Sequence, residues 1–225
     1  MTLAIDHLVI AAPDLDTGAE YVADALGIAP LGGGAHPGMG THNRVLGMFG
    51  QMYLEVIAID PSAPAPQRPR WFALDTEAMQ QRLRDGPFLA HWAARVERPT
   101  DLSRWQAQYP DRIAPPVPMT RGTLQWRLTV PEDGSLPAWR GEAASAGDGV
   151  FPTLIQWDVA DHPGVSLPRH DLALRRLRGK HPQAELLRQG LAWIGATGAI
   201  EIEHTDGPPL LEAEIETPAG LKTLR

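Results

Sequence analysis

Cysteine is absent from the 225-residue chain, which removes disulfides, thiolate metal sites and thiol nucleophiles together. Any metal would have to be held by His, Asp, Glu or amide oxygen. Runs of positive charge are missing as well. The formal net charge is −7 and no five basic residues stand together, so neither a nucleic acid nor an anionic membrane surface is an expected partner. No uninterrupted apolar run approaches the ~20 residues of a membrane span. The opening stretch MTLAIDHLVIAAPDLD has no basic segment ahead of its apolar run, and Asp6, Asp14 and Asp16 punctuate it. It does not read as a secretory signal, and a cytoplasmic location is expected. A hydrophobic fraction of 43% is that of a globular chain with a core and excludes global disorder.

What is present is a repeated order of elements. Residues 3–11 are rich in Leu, Ile and Val and stop before Pro13, as a strand ending in a turn does. Asp14 or Asp16 can cap a helix whose apolar positions Ala19, Val22, Ala23 and Leu26 keep helical spacing up to Gly27. The stretch GGGAHPGMG at 32–40 reads as a loop or short strand. THNRVLGMF (41–49) and MYLEVIAI (52–59) read as strands joined by Gly50 and Gln51 in a tight hairpin. A Pro-rich connector at 61–69 cannot continue a sheet, and a helix over 75–84 follows it.

From Phe88 the order begins again: strand 88–96, helix 101–109, a short extended piece RIAPPVP, then strands 123–130 and 152–159, with a Gly/Ala/Ser-rich loop between Pro131 and Gly149. Such repetition argues for two stacked copies of one supersecondary unit. The expected class is α+β. A βαβββ module covers 1–62, a linker and helix 63–87, a second βαβββ module 88–164 and a C-terminal β-α-β-β extension 165–225. The extension either lengthens the sheet or caps one side of it.

Polar residues interrupt the apolar strands at matched places. His7 stands on the first strand of the first unit and Glu55 on its last; His91 and Gln156 stand on the same strands of the second. Alternation puts Ile5, His7 and Val9 on one face, and likewise Tyr53, Glu55 and Ile57; Leu89, His91 and Ala93; and Leu154, Gln156 and Asp158. If the four faces converge, two imidazoles, a carboxylate and an amide oxygen form a ligand set suited to Zn, Ni, Fe or Mn, with Glu55 the candidate catalytic group. Such a divalent metal would keep about one positive charge and favour an anionic or enolisable substrate with two neighbouring oxygens. The neutral Gln156 also permits a different answer. Its amide can pair with Glu55 or His91 and satisfy the cavity without an ion, giving a metal-free protein that binds or sequesters a small molecule.

Paired units with a candidate ligand on the first and last strand of each resemble the vicinal oxygen chelate superfamily. More narrowly, IDHLVIAAPDLD, GTHNRVLGMFGQMYLEVIAID, HWAARV and FPTLIQWD resemble its glyoxalase-like domain family. The resemblance implies a cupped sheet, a divalent metal and lyase or isomerase chemistry on a small substrate with vicinal oxygens. It also implies that His7, Glu55 and His91 stand on three ligand positions, with Gln156 where glyoxalase I has a glutamate. A glutamine amide can lend its oxygen to a metal but accepts no proton at neutral pH. Authentic glyoxalase I chemistry is therefore not implied.

Asn43 and Arg44 are candidate substrate contacts beside the glycine-rich segment. Arg95, four residues along from His91, is a candidate anion clamp, and Asp158, two from Gln156, a candidate displaced base. For Arg95 and Asp158 a salt bridge at the cavity edge is the simpler expectation. Asp158, Asp161 and His162 read as a capped turn. His36, His42, His170, His181 and His204 are expected in solvent. Trp92 and Trp157, each next to a candidate ligand, should face away from the cup, and Trp71 should close the junction between the units. No P-loop, dinucleotide fingerprint, G-x-S-x-G or H-E-x-x-H motif occurs. The partner to expect is a small molecule, with a homodimer as an option.

Overall fold

The computed structural model describes residues 3–168 and 170–225. The first unit runs β1 (Ala4–Ala11), α1 (Leu15–Leu26), β2 (Leu31–His36), β3 (Thr41–Gly47) and β4 (Tyr53–Ile59). After α2 (Glu77–Arg84) come β5 (Phe88–Arg95), α3 (Leu102–Gln108), β6 (Pro116–Arg121), β7 (Leu124–Thr129), the two-residue strands β8 (Trp139–Arg140) and β9 (Ser145–Ala146), and β10 (Thr153–Trp157). The remainder is a single-turn helix α4 (Pro163–Ser166), β11 (Ala173–His181), α5 (Ala184–Ile194), β12 (Glu201–His204), β13 (Leu210–Thr217) and β14 (Gly220–Leu224). Among the described residues no helix is long and apolar enough to cross a membrane.

Local chemistry sets the boundaries. The Asp14 carboxylate accepts the backbone N–H of Thr17 at 2.8 Å, and Gly27 ends α1 in the left-handed region at φ 79°, the residue type that bears this conformation without strain. The segment read as loop or short strand is an edge strand, β2, followed by a turn of 3-10 helix at 37–39.

Eight strands form one curved sheet in the order β2-β3-β4-β1-β5-β10-β7-β6. β1 runs parallel to β4, and β5 parallel to β10, while β1 and β5 pair antiparallel at the centre. The two halves are thus one βαβββ arrangement used twice around the β1–β5 seam, an α+β fold of the expected cupped kind. The C-terminal part does not lengthen this sheet. It builds a second sheet, β12-β11-β13-β14, which caps the outer face of the first. There Leu89 N–H donates to the Arg225 carbonyl at 2.8 Å and the Tyr21 hydroxyl donates to the same oxygen at 2.7 Å.

Two apolar layers follow from strand alternation. On the outer face Leu8, Ile10, Leu54 and Val56 meet Val22 and Leu26 of α1, Leu102 of α3, and Leu211 and Ile215 of the second sheet. Trp92 belongs here, as expected, its indole N–H donating to the Val150 carbonyl at 2.8 Å. On the inner face Val9, Ile57, Ala93 and Ile155 meet Trp71, Phe72 and Leu74 of the inter-unit connector and Met79 and Leu83 of α2. The connector therefore folds into the cup and fills part of it.

Two irregularities shape what is left. The β1–β5 ladder shifts register between Ile5 and His7 and again between Val9 and Ile10. At the first shift Asp6 is the extra residue, and a bulge lets consecutive side chains share a face. At the two ends of the sheet, β2 and β6 come together. Gly34 lies at this meeting, where a Cβ would stand 3.0 Å from Arg121 Cδ. Gly33, at φ 101°, has no room for a Cβ against the Asn43 carbonyl.

Candidate functional site

The part of the cup not filled by the connector is a pocket of about 220 Å³, smaller than the ~300–1,000 Å³ typical of drug-sized ligand sites. Its polar lining is His7, His36, Asn43, Glu55 and Arg121, and its walls include Tyr53, Trp71, Phe72, Trp126 and Trp157. One side is formed by residues 161–167 through Asp161, Pro163, Ser166 and Leu167.

Asp6 lies beneath this lining, fully buried, and its carboxylate receives three N–H groups. Oδ1 takes His7 Nδ1 at 2.7 Å, and Oδ2 takes Trp157 Nε1 at 3.0 Å and His162 Nε2 at 2.8 Å. Burial by itself would push this carboxyl up, but the bonds from His162 and His7 and their charges outweigh it and hold Asp6 well below the usual carboxylate range. His162 Nδ1 accepts Gly164 N–H at 3.0 Å, so its proton sits on Nε2 and the ring caps α4. The expected capped turn is present and is also tied to the buried acid.

An ionised Asp6 fixes the tautomer of His7, with Nδ1 protonated and Nε2 turned to the pocket. Burial would lower this imidazole, yet the hydrogen bond and charge of Asp6, aided by Glu55, raise it above the ordinary histidine value. His7 stacks on Tyr53 with ring centres 4.7 Å apart, and its Nε2 lies 3.6 Å from Glu55 Oε2. Burial raises the Tyr53 phenol well above its ordinary value, so it stays neutral.

Asn43 organises the other half. Its Nδ2 donates to Glu55 Oε1 at 2.5 Å, and its Oδ1 accepts Gly34 N–H at 2.9 Å and Arg121 Nη1 at 3.0 Å. A guanidinium and a carboxylate are thus held apart by one amide. Among the described residues no carboxylate pairs with Arg121, whose guanidinium carbon lies 6.0 Å from the centre of the Trp126 ring. His36, expected in solvent, is buried beside Asn43 and forms an edge contact with Trp71 at 5.0 Å. Burial lowers its pKa to about 4.

His7, Glu55 and Asn43 meet in the pocket. The other expected site residues do not. Gln156 faces the outer side, where its Oε1 accepts Leu102 N–H at 3.0 Å and its Nε2 donates to the Thr100 carbonyl at 2.7 Å. It is Ile155 and Trp157 of β10 that turn inward, so the expectation for Trp157 is reversed as well. His91 is fully buried with both nitrogens engaged. Nε2 accepts Thr153 N–H at 3.0 Å, and Nδ1 faces the Gly149 carbonyl at 3.0 Å. Burial lowers its pKa to about 3. Arg44 turns to the α1 side and pairs with Asp16 at 2.6 Å. Arg95 pairs with Glu97 at 3.0 Å, and Asp158 with Arg127 at 2.7 Å, the simpler outcome expected for those two. His181 is buried too, against Asp148 at 3.0 Å.

The donor set therefore does not fit a divalent metal as first expected. Two donor atoms, His7 Nε2 and Glu55 Oε2, face each other, and His91 has no lone pair to spare. Three protein ligands are the usual minimum for a catalytic zinc, and among the described residues no group of three or more such side chains is assembled to hold an ion. Asp6, His36, Arg121 and His162 are not among the site residues expected from the sequence, which reads His36 as a solvated histidine and His162 as part of a capped turn. The signal for Asp6 was legible as an acid beside a histidine within an apolar strand; nothing local marks the other three.

The glyoxalase-like domain family matches residues 5–195. A comparison with curated proteins finds no match. Among solved structures, a hypothetical protein from Staphylococcus aureus aligns with TM-score 0.58 and 14% identity over 99% of this chain and 84% of its own. Methylmalonyl-CoA epimerase from Mycobacterium tuberculosis aligns at TM-score 0.43 and 17% identity, over 72% of this chain and 91% of its own. The Streptomyces coelicolor epimerase bound to 2-nitronate-propionyl-CoA aligns at 0.42 and 17%, over 70% and 97%.

Proposed function

The chain belongs to the glyoxalase-like domain family, and from that premise we propose that it moves a proton at a carbon next to a carbonyl in a small substrate with neighbouring oxygens, a reaction of isomerase or lyase type. The observation carrying this reading is the pair His7 Nε2 and Glu55 Oε2, 3.6 Å apart at the pocket, each oriented from behind by a buried partner. Glu55 Oε2 takes the proton while the C–H electron pair moves through the carbon framework onto the carbonyl oxygen. The His7 imidazolium, kept charged by Asp6, donates from Nε2 to that oxygen as negative charge develops. Return of the proton to the other face, or to the neighbouring carbon, completes an isomerisation. The aromatic walls exclude water from the exchanging proton. These steps use side chains alone, because the donors expected to hold a metal do not converge.

A second reading rests on the same aromatic walls: a protein that sequesters a small molecule and performs no chemistry. Hydrogen–deuterium exchange at carbon separates the two. Dihydroxyacetone and phenylpyruvate are incubated with the protein in D2O and followed by NMR. Exchange above the buffer rate is expected, reduced on the order of 10²- to 10⁴-fold by Glu55→Gln. Saturable binding without exchange selects the sequestering protein and ends the enzymatic reading.

A further inference from the structure

Resting on the acid–base reading of the same pocket, we propose that its substrate class is a small monocarboxylate with an apolar body, its carboxylate seated on Arg121 and its reacting carbon next to that carboxylate. Three features lead there. Arg121 lines the pocket and spends Nη1 on Asn43, but among the described residues it has no anionic partner. A half-buried guanidinium offers further N–H donors in a fork matched to a carboxylate. Trp71, another lining residue only 3% exposed, has a buried indole N–H with no acceptor. A donor left unsatisfied in this way is destabilising unless a ligand or water supplies the oxygen.

The third feature is spacing. Arg121 Nη1 and Glu55 Oε1 are bonded to the two ends of one amide, that of Asn43. A carboxylate on the guanidinium therefore leaves room for one or two bonds before the Glu55 and His7 atoms are reached, which is where the α-carbon or the neighbouring carbonyl of a short acid falls. The rings of Trp126 and Phe72 border the remaining volume and suit an apolar substituent rather than a second charge.

The test uses the full chain and two probes of one shape, phenylacetate and phenylacetamide, with affinity read from quenching of tryptophan fluorescence. Phenylacetate should bind at least about tenfold more tightly, as loss of one hydrogen bond to a charged group implies. Arg121→Gln should erase that preference, and Trp71→Phe should weaken phenylacetate by a smaller factor. Glu55→Gln should keep the preference or enlarge it. Equal affinity for the two probes, no saturable quenching by either at millimolar concentration, or a preference that survives Arg121→Gln overturns the proposal. A protein that selects phenylacetate yet exchanges no carbon-bound hydrogen keeps the carboxylate site and loses the acid–base chemistry, so the two failures are distinct.

Discussion

Asp6 carries more of the site than any residue that lines it, because one buried carboxylate orients His7, Trp157 and His162 together. Asp6→Asn would leave donor facing donor and an uncompensated set of N–H groups. A loss of about 3–5 kcal/mol is expected at neutral pH, measured by urea denaturation. The sign with pH is fixed by the lowered carboxyl: its contribution is present above the unfolded value of about 3.9 and fades as pH falls further. The gap between wild type and variant should therefore narrow in acid. His91 acts with the same sign but over a higher pH range. Its folded value of about 3 lies below the unfolded ~6.5, so the unfolded chain binds the extra proton between those limits and stability declines as pH falls, by up to about 1.4 kcal/mol per pH unit. His91→Gln keeps a donor and an acceptor but does not titrate, and should flatten this acid limb in denaturation curves recorded from pH 7 to 4. His7, with its raised value, adds stability that is present in acid and lost as pH rises through its folded value. Carbon exchange should accordingly persist above pH ~6.5 and fall as pH rises through that folded value.

Among the elements, β1 shows what strand alternation can and cannot reveal. The period-two pattern of IDHLVIA placed His7 inward, and the matching pattern of YLEVIAI did the same for Glu55. Alternation assumes an unbroken ladder, and the bulge at Asp6 breaks it; no local pattern in an apolar strand announces one extra residue. Gln156 failed for a different reason. A lone polar residue in an apolar strand can be satisfied on either side, and here the backbone of the β5–α3 connection, 96–102, supplies the donor and acceptors. The first helix was legible because its cap is local, at Asp14. Arg121 was not, since it reaches Asn43 only after the sheet has curled through 78 residues of chain. Glycines in β2 test that curl. Gly32→Ala meets nothing within reach and should cost about 1 kcal/mol for its positive φ, whereas Gly33→Ala collides with the Asn43 backbone. The second variant should melt lower than the first and bind small carboxylates poorly, as read by thermal unfolding and fluorescence titration.

At the scale of the molecule, the outer apolar layer joins both copies of the repeated unit to the C-terminal sheet. Leu211 and Ile215 share that layer with residues of the larger sheet, and the carbonyl of Arg225 holds both β5 and α1. Elements that share one buried layer unfold together. Tryptophan fluorescence and far-UV circular dichroism should therefore give one coincident urea transition for the whole chain. Two separated transitions would mean that the C-terminal sheet is an independent lobe. Of this arrangement the repeat of element order was readable, because local patterning carries it; the side on which the C-terminal strands dock was not, because nothing in a strand's own pattern names the surface it covers.

The meeting of β2 with β6 reaches beyond ligand binding. An open sheet of eight strands ordinarily presents two free margins on which a foreign strand can grow. By curling until its glycine-lined margin faces the opposite one, this sheet turns both toward each other and away from passing chains. A methyl at position 34 would press only on the flexible Arg121 side chain, so this mutual shielding of the two margins should survive Gly34→Ala.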